Sequence, residues 1–388
     1  MTDRISYASS GVDIEAGERA VELMKASIAL ARRKEMVGGI GGFAGLFDAS
    51  ALKSYRKPLL ATSTDGVGTK VDIARKMSEF STIGEDLVAM VVDDLVVCGA
   101  EPLFMTDYIA IGKVIPEKVA TIVAGIAHGC ALAGTALIGG ETAEHPGLLE
   151  PDEFDLAGAA TGVVEEDQLL GAQRVCDGDV VIAIASSGLH ANGFSLVRQV
   201  IKKSGWALDR EIPEFGHSLG EELLIPTRIY ALDALALAKD EPSKVHAMAH
   251  ITGGGLAANL ARVIPAGLYA TIERQAWALP AVFELLAQVG NLARDEMERA
   301  FNVGVGCGSG LSRAGRTRPI CLYRRPDPCP RRCWRRRVGG RLPKLVIFAF
   351  RRLDPTAWGH VPQPRVQRGS TPWGAAGPRQ SRRKSRAN

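Results

Sequence analysis

A change of composition near Cys307 limits what this 388-residue chain can fold into. Residues 307–388 carry 19 Arg and 2 Lys against only Asp327 and Asp354, a net charge of +19. Residues 1–306 carry 26 basic and 41 acidic side chains, a net of −15. The same 82 C-terminal residues hold 10 of the 20 prolines, 3 of the 5 tryptophans and 4 of the 7 cysteines. An Arg/Pro-rich stretch with no apolar period cannot bury a core. The sequence therefore predicts a folded body over residues 1–306 and a largely disordered basic tail over 307–388. A body of this length is about two domains.

Several function classes are disfavoured. The longest apolar run near the end, Leu345 to Phe350, is far short of the ~20 residues of a membrane span. The opening Met1-Thr-Asp-Arg-Ile lacks the apolar stretch of a secretory leader. Cys98, Cys130 and Cys176 are scattered through an acidic body, as expected of buried thiols in a reducing cytoplasm. In the tail, Cys321, Cys329 and Cys333 lack paired CxxC spacing, which argues against a zinc site.

Within the body, helices and strands alternate. Helical patterns cover residues 18–34, 82–98, 116–129, 194–203, 227–239 and 256–263, with Pro116 at the first turn of the third. Strand patterns cover 58–63, 136–138, 154–164, 179–185 and 244–250. A weak boundary near residue 170 divides an α/β (α+β) body into domains over 1–170 and 171–306.

Asp94 is the sharpest chemical clue. On the 82–98 helix, Ile83, Leu87, Val91 and Cys98 form an apolar stripe, and Asp94 falls inside it. Asp86 and Asp93 fall off the stripe and are expected to be solvated. A carboxylate on a buried face needs a partner or a cation. Asp94 is therefore either a structural acid capping a loop or an acid of a metal or nucleotide site. The glycine loops at 38–45 and 66–68 can present N–H groups to phosphates, but neither is a P-loop. Gly39, Gly41 and Ala44 fit the loose dinucleotide pattern, yet the loop follows a helix, which excludes a Rossmann unit. Asp65, beside Gly66 and Lys70, is an ordinary turn residue or a ligand for a hard cation such as Mg²⁺. Glu141 sits just past a strand end, as a site residue or an exposed loop carboxylate. His190 lies in a polar loop between a strand and a helix, with an acid/base, phosphate-contacting or capping role open to it. His246 and His250 are four apart in a strand context, about 13 Å along the chain, which excludes a zinc pair.

Nine ordered segments carry a resemblance. They are Ser9-Ser-Gly-Val-Asp-Ile-Glu-Ala-Gly17, Gly41-Gly-Phe-Ala-Gly-Leu-Phe47, Ser63-Thr-Asp-Gly-Val-Gly-Thr-Lys70, Asp94-Leu-Val-Val-Cys-Gly-Ala-Glu-Pro-Leu-Phe104, Gly139-Gly-Glu-Thr-Ala143, Ser186-Ser-Gly-Leu-His-Ala-Asn-Gly-Phe-Ser-Leu-Val-Arg198, Pro226-Thr-Arg-Ile-Tyr230, His250-Ile-Thr-Gly-Gly-Gly255 and Phe301-Asn-Val-Gly-Val-Gly306. Together they resemble the phosphoribosylformylglycinamidine cyclo-ligase (aminoimidazole ribonucleotide synthetase) family. The resemblance implies ATP-dependent ring closure of formylglycinamidine ribonucleotide in purine biosynthesis, with Mg²⁺ held by carboxylates. It implies two α/β domains and a cytoplasmic homodimer whose N-terminal mixed sheets pair. Carried over by position, Asp94 and His190 become catalytic candidates. Gly38, Gly39, Gly41, Gly42, Asp65, Gly66, Gly68 and Lys70 become nucleotide and phosphate candidates. Ser187, Asn192, Gly193, Thr252, Gly253 and Gly254 become substrate candidates, and Asp65, Asp94 and Glu141 metal candidates. In the family the strand at Phe301–Gly306 leads into further α/β structure. Here the composition breaks inside that motif, which predicts a shifted reading frame from about Cys307 and a second domain lacking a strand. Two other readings follow: an inactive or nucleotide-binding-only product of a damaged gene, and an authentic basic tail that binds nucleic acid, which the absence of a fold motif disfavours.

Overall fold

The computed structural model describes residues 11–39, 41–240, 245–311 and 345–352. The stretches 312–344 and 353–388, which include the tail cysteines and most of the expected disorder, lie outside the described residues. Ile14–Ile28 (α1) is capped by Asp13, whose carboxylate accepts the Ala16 N–H. Met36–Val37 (β1) and Leu46–Phe47 (β2) pair as a short hairpin that carries the glycine loop. There follow Pro58–Gly66 (β3), Lys70–Met77 (α2), Ile83–Val96 (α3), Glu101–Ile111 (β4), Pro116–Ala133 (α4), Ala136–Glu144 (β5) and Phe154–Glu165 (β6). Pro116 opens α4, and Gly134, at φ +69°, closes it in the left-handed conformation.

The long strands form a mixed sheet in the order β3-β6-β4-β5. β4 and β5 run parallel and are joined by α4; the other pairs are antiparallel. Leu103, Met105, Ile109 and Ile111 alternate along β4 and are buried on the helix-covered face. The opposite face carries Leu60, 65% exposed, and Tyr108, 40% exposed. Helices α3 and α4 approach closely: a Cβ on Gly84 would lie 2.2 Å from the Ile126 nitrogen.

Every residue of α3 except Glu85 and Asp94 is buried. This reverses the expectation for its acids. Asp86 and Asp93 are enclosed, while Asp94 is 42% exposed. The single-stripe reading assumes one packed face. Helix α3 instead touches the sheet, α4 and a helix of the second domain at once.

The second domain continues with Val180–Ala185 (β7), Phe194–Ser204 (α5), Glu211–Ile212 (β8), His217–Ser218 (β9), Leu219–Leu224 (α6), Ala231–Asp240 (α7) and Val245–His250 (β10). It ends with Gly255–Ala261 (α8), Leu268–Thr271 (β11), Ala281–Gly290 (α9), Arg294–Ala300 (α10), Val305–Leu311 (β12) and Leu345–Arg352 (β13). Its sheet runs β10-β12-β7-β13-β11, with every neighbouring pair antiparallel. Helix α7 is the one that packs on α3.

The expectation of a missing strand is not met. Leu345-Val-Ile-Phe-Ala-Phe350, within the basic tail, occupies an interior position between β7 and β11. Its β-branched and aromatic content suits a strand. β12 likewise runs beyond the composition break to Leu311, paired with both β7 and β10.

Candidate functional site

Three elements from the two domains converge at one point. Asp65 is the penultimate residue of β3, and its carboxylate accepts the Gly66 N–H at 2.7 Å. Asp94 stands near the end of α3, and His250 ends β10. The His250 Nδ1 lies 2.9 Å from Asp94 Oδ1. Burial, and then the charge of Asp94, push the Asp65 carboxyl above its ordinary range. Burial disfavours the charged ring of His250, but the hydrogen bond to Asp94 and the charges of Asp93, Asp94 and Asp65 raise its pKa overall. Behind it, Asp93 is pushed up to about 7 by burial. Its two oxygens accept the Tyr230 N–H at 3.0 and 3.1 Å, just ahead of α7.

Two loops of the second domain border this cluster. The Gly253 N–H donates to Asn192 Oδ1 at 3.0 Å and ties the loops together. Asn259 Nδ2 reaches the carbonyls of Thr252, Gly253 and Gly255 at 3.3, 3.1 and 2.9 Å, which gathers the glycine turn. Gly193 has φ +78°, and a Cβ there would lie 2.4 Å from the Phe301 ring, so only glycine fits. Ser187 donates its hydroxyl to the Pro226 carbonyl at 2.7 Å and its N–H to His190 Nε2 at 3.2 Å. The structure thus brings together Asp65, Asp94, Ser187, Asn192, Gly193, Thr252, Gly253 and Gly254 around one region.

Other expected site residues do not face this region. His190 is buried, burial pushes its pKa well below the ordinary histidine value, and its Nδ1 has no hydrogen-bond partner among the described residues. It cannot meet substrate as a solvent-facing acid/base in this arrangement. Lys70 is fully buried, and its ammonium is engaged by Asp86 and two carbonyls, so it does not face a phosphate. The loop-like Asp-Gly-Val-Gly-Thr-Lys spacing hid this, because α2 begins at Lys70 and turns it inward.

Glu141 lies within β5, not past its end. It pairs in register with Tyr108, Ala157 and Gly66 across the sheet, so three interstrand spacings, about 14 Å, separate it from the Asp65 edge. The glycine loop is also on that far side, since a Cβ on Gly45 would meet the Ile138 carbonyl of β5 at 2.4 Å. Among the described residues, no three His, Cys, Asp or Glu side chains converge to hold a metal ion. The expected set Asp65, Asp94 and Glu141 is therefore not assembled within one chain.

Sequence reasoning missed Asp107 and Asn259, expected Asp93 to be solvated, and gave His250 no role of its own beyond an excluded zinc pair and a place in a family segment. His250 and Asp94 are 156 residues apart, beyond any local pattern.

With this geometry established, known proteins supply the decisive comparison. The family described as "AIR synthase related protein, N-terminal domain" matches residues 47–164, and its C-terminal domain matches residues 177–308. The phosphoribosylformylglycinamidine cyclo-ligase of Desulfitobacterium hafniense (strain DSM 10664 / DCB-2) is 52% identical over 301 residues, 78% of this chain and 87% of that protein. The chain belongs to the phosphoribosylformylglycinamidine cyclo-ligase family. Solved structures agree on the fold alone. The thiamine-monophosphate kinase of Stenotrophomonas maltophilia K279a aligns at 18% identity with a TM-score of 0.54, over 86% of this chain and 93% of that one. A hydrogenase maturation protein HypE in complex with ATP aligns at 16% identity with a TM-score of 0.50, over 77% of this chain and 79% of that one. The motifs that carry the family resemblance include those that build the Asp65–Asp94–His250 cluster and its bordering loops. Among the described residues no helix is long and apolar enough to cross a membrane.

Proposed function

We propose that this chain is a cyclo-ligase that converts formylglycinamidine ribonucleotide and ATP into aminoimidazole ribonucleotide, ADP and phosphate in purine biosynthesis. The observation that carries this reading is 52% identity over 301 residues to a curated cyclo-ligase, through both domains. In this reaction the formyl oxygen attacks the γ-phosphoryl group and ADP leaves. A nitrogen of the same substrate then attacks the activated carbon, the carbon–oxygen bond to phosphate breaks, and phosphate departs as the ring closes.

The chain's own residues divide the work. Asp65 and Asp94 are hard oxygen donors close enough that the charge of one raises the pKa of the other, which fits a divalent cation. Mg²⁺ held there would neutralise charge on the transferred phosphoryl group. His250 orients Asp94 through its Nδ1. The loops with Ser187, Asn192, Gly193 and Thr252–Gly254 hold the substrate. The loop with Gly38, Gly39, Gly41 and Gly42 covers nucleotide phosphates. The exposed face of the N-terminal sheet, with Leu60 and Tyr108, pairs two copies. Unpaired Cys98, Cys130, Cys176 and Cys307 suit a reducing cytoplasm.

The test is ADP release from ATP and Mg²⁺ with and without formylglycinamidine ribonucleotide. Substrate-dependent release is expected. Asp94→Asn should lower it by roughly 100-fold or more while circular dichroism is unchanged. A folded sample that releases no ADP, or releases it without substrate, overturns the reading.

A further inference from the structure

Lys70 opens α2 in the first domain, and Asp86 lies one turn into α3. Both side chains are fully enclosed. Lys70 Nζ lies 2.9 and 2.8 Å from the two Asp86 oxygens. It also donates to the His190 carbonyl at 3.1 Å and to the Ile225 carbonyl at 2.8 Å. Its three protons are thereby used. Asp86 Oδ1 in turn accepts the Thr227 N–H at 2.8 Å and the Thr227 hydroxyl at 2.5 Å. One ion pair of the first domain therefore grips two segments of the second, the 186–194 loop and the 225–230 stretch. Those segments are joined again by Ser187 to Pro226. The 225–230 stretch is anchored to α3 a second time by Asp93 and Tyr230.

Two observations argue that this grip does more than hold the fold. First, His190 has φ +65°, a costly left-handed conformation for a residue with a side chain, and its carbonyl is the one that Lys70 holds. The strain persists because the surroundings impose it. Second, a buried ion pair contributes little net stability, and an apolar pair of similar volume often serves equally well. What an apolar pair cannot do is fix the direction of two carbonyls.

We propose that the Lys70–Asp86 pair is a positioning device that sets the 186–194 loop and the 225–230 stretch in the geometry that binds the ribonucleotide substrate. The inference rests on the reading of that loop as the substrate loop. Lys70 then acts through the backbone of His190 and touches no phosphate.

The experiment compares the full chain with Lys70→Met/Asp86→Leu and with Thr227→Val, which keeps the ion pair and removes one hydrogen bond to Asp86. Thermal midpoints, KM for each substrate, and amide hydrogen exchange over residues 187–194 and 226–230 are measured. The double variant should melt lower than the parent, because the His190 and Ile225 carbonyls and Thr227 lose buried partners, and is assayed below its own midpoint. Its KM for formylglycinamidine ribonucleotide should rise at least tenfold, with KM for ATP changed less than twofold and loop amides exchanging at least tenfold faster. Thr227→Val should move the same KM in the same direction by about threefold. Unchanged KM and exchange in the double variant overturn the proposal, as does an equal rise in both KM values. Should the double variant not fold, an unchanged substrate KM in Thr227→Val overturns it. If the parent itself shows no substrate-dependent ADP release, the functional reading fails, and the exchange comparison still decides whether the pair sets the loop.

Discussion

Asp107 is buried on β4 among apolar neighbours, and burial pushes its carboxyl up to about 7. The neighbouring strand makes room for it: a Cβ on Gly140 would lie 1.7 Å from Asp107 Oδ1. The unfolded chain loses this proton near pH 4. Between about pH 4 and 7 the folded state therefore binds more proton than the unfolded state, and stability falls as pH rises through that window. Asp107→Asn should remove this slope. Urea unfolding should find the variant equal to the parent at pH 4 and more stable at pH 8, by up to roughly 4 kcal/mol at about 1.4 kcal/mol per pKa unit. Parallel pH profiles would rule out Asp107 as the source. At this scale the sequence was half legible. Asp65 and Asp94 were candidates from a turn and from a helical position, and they fall near each other. The argument for Asp94 assumed burial, whereas the structure leaves it half-exposed and encloses Asp86 and Asp93. Lys70 was a phosphate candidate by position, and nothing local announces a partner 16 residues away on another helix.

The same substitution has opposite signs in two helices. Gly17, within α1, has nothing within 4 Å of an added Cβ. Gly17→Ala should stabilise by about 0.5–1 kcal/mol through helix propensity. Gly84, within α3, would drive a Cβ against the backbone of Gly125 and Ile126 at 2.6 and 2.2 Å. Gly84→Ala should cost about 1–3 kcal/mol despite the same propensity gain. Denaturant midpoints measured in parallel check both, and a stable Gly84→Ala would mean that α3 and α4 can part. The start of α4 was legible because Pro116 dictates the backbone there, whereas its end was placed at residue 129 and the helix runs on to Ala133, where Gly134 closes it. Boundaries also failed where glycine serves packing instead. Gly139-Gly140 reads as a turn, which cut β5 short and left Glu141 in a loop. The strand in fact continues to Glu144, because Gly140 must clear the Asp107 carboxylate.

At the scale of the molecule, the candidate residues fall at two edges of one sheet. Asp65 and Asp94 are by β3, and the glycine loop and Glu141 are by β5. In the proposed homodimer, a two-fold axis along the strands would lay the β5 edge of one copy over the β3 edge of the other. Glu141→Gln and Asp94→Asn should each be inactive alone. After subunit exchange the mixture should regain about a quarter of parent activity, the share of intact sites under random pairing. No recovery, with exchange verified, would place the whole site in one chain. The two-domain α/β plan was legible in the alternation of patterns. The role of Leu345–Arg352 was not, because no property of an Arg-rich surrounding says where a short apolar run will pair. That strand lies between β7 and β11 yet is synthesised about 160 residues after β7. Until it emerges from the ribosome, β7 and β11 each present an unpaired edge to the cell. The second domain is thus a late closure of high contact order, and during that interval its open strand edges are free to pair wrongly.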